Sequence, residues 1–260
     1  DRLRQRSASY VRLNTDTYPA TAEVSIEFAP AAMDGLLRCP HGVVHLRDIH
    51  TVWYRKPEPP RIDARVEDVQ ARHFAEEESK AALAGLYALL DAAFWVSPPD
   101  RVRAANDKLK QLAAARQFGF EIPRTLVTTS PGAAVEFIRT CAGGAVVKPL
   151  KSGCIEYPDG RVELIYTNPV RADDEHIASV VYAPCLFQEY VPKMLEIRVT
   201  VIGTKVFPVA LDSQSSDISR HDWRRDNGSG VKYLPFSLPD GIAGRCLRFM
   251  DYFGIRFSAF

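Results

Sequence analysis

Residues 187–203, FQEYVPKMLEIRVTVIG, place a carboxylate and a guanidinium two residues apart inside an otherwise apolar strand. Strand alternation assigns Ile197, Val199 and Val201 to one face and Glu196, Arg198 and Thr200 to the other. Gly203-Thr204 is a two-residue turn, and KVFPVAL runs back as the partner strand. The charged face is either a solvated surface with an ion pair worth under about 1 kcal/mol, or a floor on which something polar and charged is laid. In the second case Glu196 could accept from sugar hydroxyls, and Arg198 could hold a phosphate or a developing negative charge.

Two lysines pose the same choice. Lys108 falls in the first turn of a helix, where a cation opposes the dipole. Either Asp107 neutralises it at the surface, or an anion rests against the helix start, where amide N–H groups and a lysine both suit phosphate. Lys148 ends the apolar strand AVVKPL. Either its stem snorkels to water, or its ammonium sits in a cleft where an anion about 4 Å away would contribute on the order of 4 kcal/mol. Lys151-Ser152-Gly153 is a short polar turn, too poor in glycine for a P-loop.

Gln188, Glu189, Tyr190 and Val191 mix apolar surface with backbone groups freed by Pro192. A purine wants that combination, although many strand ends share it. HDWRRDN (221–227) concentrates Asp222, Trp223, Arg224 and Arg225 in a polar loop that is either solvated or poised over a polyphosphate. The six histidines show no zinc spacing, and neither G-x-S-x-G nor a dinucleotide glycine fingerprint occurs.

Punctuation along the chain defines the elements that must position these groups. YVRLN (10–14) reads as a strand, and more short strands follow through TAEVSIEFA and HGVVHLRDIHTVWYRKP. A helix is expected from Arg65 to Phe94, with Leu83, Leu86, Leu90 and Phe94 on its inner face. Pro98-Pro99 closes that section. Asn106 then caps, and Gly119 ends, the helix bearing Lys108. The remaining expectations are a strand in 121–129, a helix over 131–140, a hairpin over 154–167 turning on Pro-Asp-Gly, and a helix over 171–182. After the opening hairpin come a flexible polar loop (213–230), a helix near 241–253 and a final strand. The pattern is α/β, or α+β in several lobes, divided as 1–97, 98–185 and 186–260.

The chain of 260 residues is long enough for a substantial core, and its balance of 33 basic against 32 acidic residues leaves a net charge of +1. That predicts neither nucleic acid nor an acidic membrane surface as partner. No segment reaches the roughly 20 apolar residues of a membrane span, and no signal-peptide pattern is visible. Five dispersed cysteines without a C-x-x-C pair read as reduced thiols of a cytoplasmic protein. Asp1 opens within a helix-like RLRQR and Phe260 closes within a strand, so the working protein is expected to extend both ways.

The order of these features resembles an ATP-grasp ligase. More narrowly, RLNTDTYP, TVWYRKP, NDKLKQLAAARQFGFEIPRTLVT, FQEYVPKMLEIRVTVIGTKVFPVALDSQ and HDWRR resemble the ligases that macrocyclise ribosomal peptides of the microviridin or graspetide kind. The resemblance spans nearly the whole chain and is closer than that to ribosomal-protein glutamate ligases or D-alanine ligases. It implies three lobes, with ATP held between the central and C-terminal ones and Mg2+ as metal. It also implies that side-chain carboxylates of a precursor peptide are activated as acyl phosphates and joined to Ser or Thr hydroxyls as esters, or to Lys amines as amides.

By matching position, Lys108 and Lys148 would hold ATP phosphates, Gln188, Glu189, Tyr190 and Val191 would form the adenine hinge, and Glu196 would meet the ribose. Arg198 and Arg224 would stabilise the acyl phosphate and the oxyanion. The family's magnesium ligands, an Asp followed by a Glu and an Asn, would lie beyond Phe260. A leader segment of the precursor would meet the 155–167 hairpin and the helix from Arg171, where Asp173 and Asp174 either receive a basic residue or simply cap the helix. A homodimer is the family expectation. The alternatives are a ligase acting on amino acids or a protein tail, and a nucleotide- or peptide-binding pseudoenzyme.

Overall fold

The computed structural model describes residues 2–151, 153–157, 160–226, 230–239 and 241–260, with Arg4 by its backbone alone. Contacts divide the chain into two compact units, 1–99 and 100–260.

In the first unit a short helix α1 (Arg2–Gln5) precedes an antiparallel meander of β1 (Glu23–Ala29), β2 (Ala32–Cys39) and β3 (Gly42–His45). Residues 10–14 are not a strand: Val11 and Leu13 pack onto the core, so their alternation records side-chain burial without a ladder. β4 (Thr51–Trp53) follows, and α2 (Val69–Leu89) starts where the Asp68 carboxylate accepts from Ala71 N–H. Leu83, Leu86 and Leu90 are buried as expected, but Phe94 is half exposed and opens β5 (Phe94–Val96), which pairs in parallel with β4. The helix therefore stops a turn early. Trp95 completes this core, its indole N–H donating to Leu90 O at 2.7 Å.

The second unit opens with α3 (Pro99–Ala105), a helix the double proline had hidden, and α4 (Lys108–Gln117). The cap of α4 is Asp107, whose carboxylate accepts from Lys110 N–H at 3.0 Å. Asn106 is still tied to α3 through its N–H to Val102 O, so it cannot serve. Gly119 does end the helix, in the left-handed region at φ +76°. β6 (Thr125–Thr128), α5 (Pro131–Thr140), β7 (Ala145–Lys148), the hairpin β8 (Cys154–Glu156) and β9 (Val162–Leu164), β10 (Asn168–Val170) and β11 (Cys185–Glu189) come next. The expected turn residues Pro158 and Asp159 lie outside the described residues, as does Ser152.

An antiparallel sheet of order β10-β7-β11-β6 results, and its core joins Ala134 and Ile138 of α5 to Phe187 of β11 and to Ile177 and Val180. The last two belong to a 3-10 helix over Glu175–Tyr182 where an α-helix was expected. The Asp174 carboxylate takes His176 N–H while Ile177 N–H closes onto Asp174 O, which starts the tighter turn.

The second sheet, of order β14-β13-β12-β15, is built from β12 (Glu196–Ile202), β13 (Lys205–Asp212), β14 (Lys232–Pro235) and β15 (Phe257–Ala259). α6 (Ile242–Phe253) covers it, with Cys246 and Met250 against Val199 and Val201. The face assignment of β12 holds: Val199 and Val201 are buried, and Arg198 is exposed. Gly203 turns the hairpin at φ +58°. The segment from Ser213 onwards is anchored at buried points although Asp217, Ile218 and Arg224 are exposed. Ser213 and Ser219 are fully buried, and Ser219 Oγ donates to Ser213 O at 2.8 Å. Backbone-directed hydroxyls fold it back on itself.

Candidate active site

Both α4 and α6 abut one pocket of about 340 Å³. Lys108, Gln111, Leu112 and Ala115 line it from α4, Lys148 from β7, Leu186 and Gln188 from β11. Phe120, Phe249 and Phe260 close the apolar side, the first two edge to face at 6.1 Å. A pocket of that volume, with aromatic and aliphatic lining and a few polar side chains, is within the usual size of small-molecule sites.

Those polar groups are the two lysines. Lys148 Nζ donates to Gln188 Oε1 at 2.7 Å, while Gln188 Nε2 donates to Thr125 Oγ1 at 2.9 Å. Lys108 Nζ donates to the carbonyl of Pro149, which staples the start of α4 to the end of β7. Among the described residues neither ammonium has a carboxylate within ion-pair distance. Burial lowers the Lys148 pKa below its ordinary value, and Lys193, Lys108 and Arg224 add repulsion that Asp222 partly offsets. Lys108 is lowered too, by burial and then by Arg224. These desolvated cations lack a strong anion, which is the donor set a polyphosphate would satisfy.

Around them the other expected residues divide. Arg224 is within electrostatic reach of both lysines and of Glu196, and its guanidinium is forked onto Asp222 at 2.8 and 2.7 Å. Glu196 accepts a hydrogen bond from Lys193, both side chains being mostly buried. Arg198 stands exposed on the same face of β12, two residues along. Glu189 and Tyr190 N–H groups are spent on Arg124 O and Gly144 O, each at 2.9 Å, so neither is available to a purine edge. Of the groups expected to form a hinge, that leaves Val191 and the local carbonyls. Glu189, Tyr190, Val191, Glu196, Arg198 and Arg224 all lie outside the pocket lining itself.

Away from the pocket, Asp173 pairs with Arg171 at 2.9 and 3.1 Å and Asp174 caps the 3-10 helix. Lys151 is exposed. No grouping of three or more His, Cys, Asp or Glu that could hold a metal occurs among the described residues.

Sequence reasoning passed over Lys193 and gave no role to Asp222 or His221. Lys193 was legible in its three-residue spacing from Glu196. Asp222 is 3% exposed and keeps a lowered pKa: burial alone would raise it, but the Arg224 fork and the Thr167 and Arg224 N–H groups outweigh that. His221 meets the Tyr190 ring edge-on at 5.4 Å, and burial, then Lys193, lower its pKa. Nothing local in the sequence announces that contact.

Comparison with known proteins adds the following. Residues 1–103 match the family described as the MvdD pre-ATP grasp domain. A Chryseobacterium gregarium RiPP-associated ATP-grasp ligase, solved with ADP and a leader and core peptide, is 31% identical with a TM-score of 0.89, over 99% of this chain and 77% of that one. The macrocyclase MdnC from Microcystis aeruginosa MRC, solved with its precursor peptide MdnA, is 28% identical with a TM-score of 0.85, over 99% and 78%. The alpha-aminoadipate–LysW ligase LysX of Sulfolobus acidocaldarius is 25% identical over 150 residues. The match takes in 57% of this chain and only 52% of that curated relative, about half its length.

Proposed function

The chain belongs to the RiPP-associated ATP-grasp ligases, and from that premise we propose that it activates Asp or Glu side-chain carboxylates of a ribosomal precursor peptide and closes them into rings. One observation carries the proposal: Lys148 and Lys108, desolvated and without a carboxylate partner among the described residues, stand at the polar end of an apolar pocket of about 340 Å³. A purine would use the apolar slot and the phosphates the two lysines. Glu196, steadied by Lys193, would receive the ribose hydroxyls. Bound magnesium would neutralise phosphate charge.

A substrate carboxylate attacks the γ-phosphorus and releases ADP. A Ser or Thr hydroxyl, or a Lys amine, then adds to the acyl carbon, and phosphate leaves with the bond to the carbonyl restored. The developing charge is anionic at each stage, so Arg198 and Arg224 have work that a neutral residue could not do. Each ring removes one water from the peptide. Incubation with ATP, Mg2+ and a cognate precursor, sought as a short peptide rich in Thr, Ser, Glu and Asp in the neighbouring reading frame, should therefore lower the peptide mass by whole waters. No change in mass with intact enzyme would refute the proposal.

The leader of that peptide is assigned to the β8–β9 hairpin and the segment from Arg171, with Asp173 and Asp174 facing a basic residue. Asp174→Lys that leaves leader affinity unchanged would remove this role. The expected division into 1–97, 98–185 and 186–260 is kept as three lobes; two separate sheets in the second unit favour a further division there, which on sheet membership would fall after β11 rather than at 185. A cytoplasmic location fits the five free cysteines, and the +1 charge argues against nucleic acid. No helix among the described residues is long and apolar enough to cross a membrane. A homodimer completes the reading and is checked by sedimentation. The likeness to LysX, named for joining alpha-aminoadipate and LysW, favours the alternative of a ligase acting on amino acids or a protein tail. ATP turnover without any precursor peptide would support that reading instead.

A further inference from the structure

The segment after β13 holds a carboxylate that the reaction above does not use. Asp222 is 3% exposed and accepts four hydrogen bonds: Arg224 Nε at 2.8 Å, Arg224 Nη2 at 2.7 Å, Arg224 N–H at 3.2 Å and Thr167 N–H at 3.2 Å. That saturates a carboxylate, which offers about four lone-pair sites. Arg225 grips the same stretch from the other side. Its guanidinium donates to Thr167 O at 3.3 Å and to Asn168 Oδ1, and lies 5.4 Å from the Tyr166 ring centroid. Both backbone polar groups of Thr167 are thus held by residues 222–225, 55 or more positions away in sequence.

The Arg224 side chain is 63% exposed although its partner is buried. A long exposed side chain would otherwise sample many rotamers. A two-point fork instead fixes the guanidinium plane. With Nε and one hydrogen of Nη2 engaged, the donors left over are aimed in one direction.

We propose that Asp222 is a positioning residue. One carboxylate joins the Arg224 fork to Thr167 N–H, so the aim of Arg224 is set by the segment 166–168 that links the β8–β9 hairpin to β10. This rests on the role given to Arg224 under the proposed function. A carboxylate that merely anchored the segment would support folding and nucleotide binding with no special dependence on the guanidinium.

The test is a double-mutant cycle with ATP, Mg2+ and the precursor peptide whose mass the wild-type enzyme lowers, reading kcat, KM for ATP and the thermal midpoint. Asp222→Asn keeps an acceptor for Thr167 and loses the charged fork; it should lower kcat on the order of 10- to 100-fold, with KM for ATP within about twofold of wild type. Arg224→Lys should lose a comparable factor, and the double variant should be no slower than the slower single. Losses that multiply, or a rise in KM that accounts for the whole effect of Asp222→Asn, would overturn the proposal.

Should Asp222→Asn not fold, Asn168→Ala loosens the Arg225 grip and touches neither Asp222 nor Arg224. Its kcat loss should be present in the native background and absent in Arg224→Lys; equal losses in both overturn the proposal. An inactive wild type, or an Arg224→Lys as fast as wild type, brings down the reading of Arg224 and this proposal with it. A slow Arg224→Lys beside an unimpaired Asp222→Asn brings down this proposal alone.

Discussion

Lys148 on β7 donates to the Gln188 amide on β11 at 2.7 Å, and the same amide donates to Thr125 Oγ1 on β6 at 2.9 Å. The hydroxyl in turn donates a hydrogen bond to Pro123 O at 2.9 Å. A neutral chain therefore orders the lysine while leaving its charge uncompensated. Gln188→Leu should cost about 1–3 kcal/mol of stability, because buried polar partners lose their hydrogen bonds. Nucleotide affinity should fall with it. Chemical denaturation and calorimetry measure the two, and an unchanged affinity would separate Gln188 from the nucleotide.

Lys148 also sets a pH signature. Its pKa in the free protein lies below the ordinary lysine value of 10.5, with burial the chief cause. A bound polyphosphate favours the charged form and raises the pKa again. Between the two values binding takes up a proton, so affinity should fall as pH rises through that window. Binding enthalpies measured in buffers of different ionisation heat should show the uptake, and Lys148→Met should reduce it to the share carried by Lys108.

Arg198 is exposed on β12, where substitutions usually change stability by no more than about 0.5 kcal/mol. If it stabilises a developing oxyanion, Arg198→Ala should slow ring formation on the order of 10²- to 10³-fold. The melting temperature should stay put. A variant that forms rings at the native rate would reduce Arg198 to a surface residue.

Gly153 lies where the chain enters the β8–β9 hairpin. A Cβ there would stand 2.3 Å from the carbonyl oxygen of Ile165. Gly153→Ala must push two backbones apart, a cost of about 1–3 kcal/mol for such overpacking. Amide exchange in residues 154–165 should accelerate well before global unfolding does. Native protection in the alanine variant would show that the hairpin yields without cost.

Periodicity and punctuation carried a long way here. The alternation of β12 and the Gly203 turn appear as read, as do the helix over 131–140 and the αL glycine that ends α4. Local rules misled where a second, longer-range demand competed. Phe94 continues the helical spacing of Leu83, Leu86 and Leu90, yet pairing with β4 claims it for a strand. Asn106 is the better cap by type, but α3 already holds its N–H and the cap passes to Asp107.

Composition, alternation and capping thus determined by themselves that this is an α/β chain with two lysines and a charged strand face of chemical interest. Those signals act between residues a few positions apart, so one dimension suffices to read them. The tertiary structure alone decided that Lys148 answers to Gln188 at a separation of 40 residues, Gln188 to Thr125 at 63, and Asp222 to Thr167 at 55. Such partners are chosen by how sheets and loops pack, through contacts whose closure no local preference encodes.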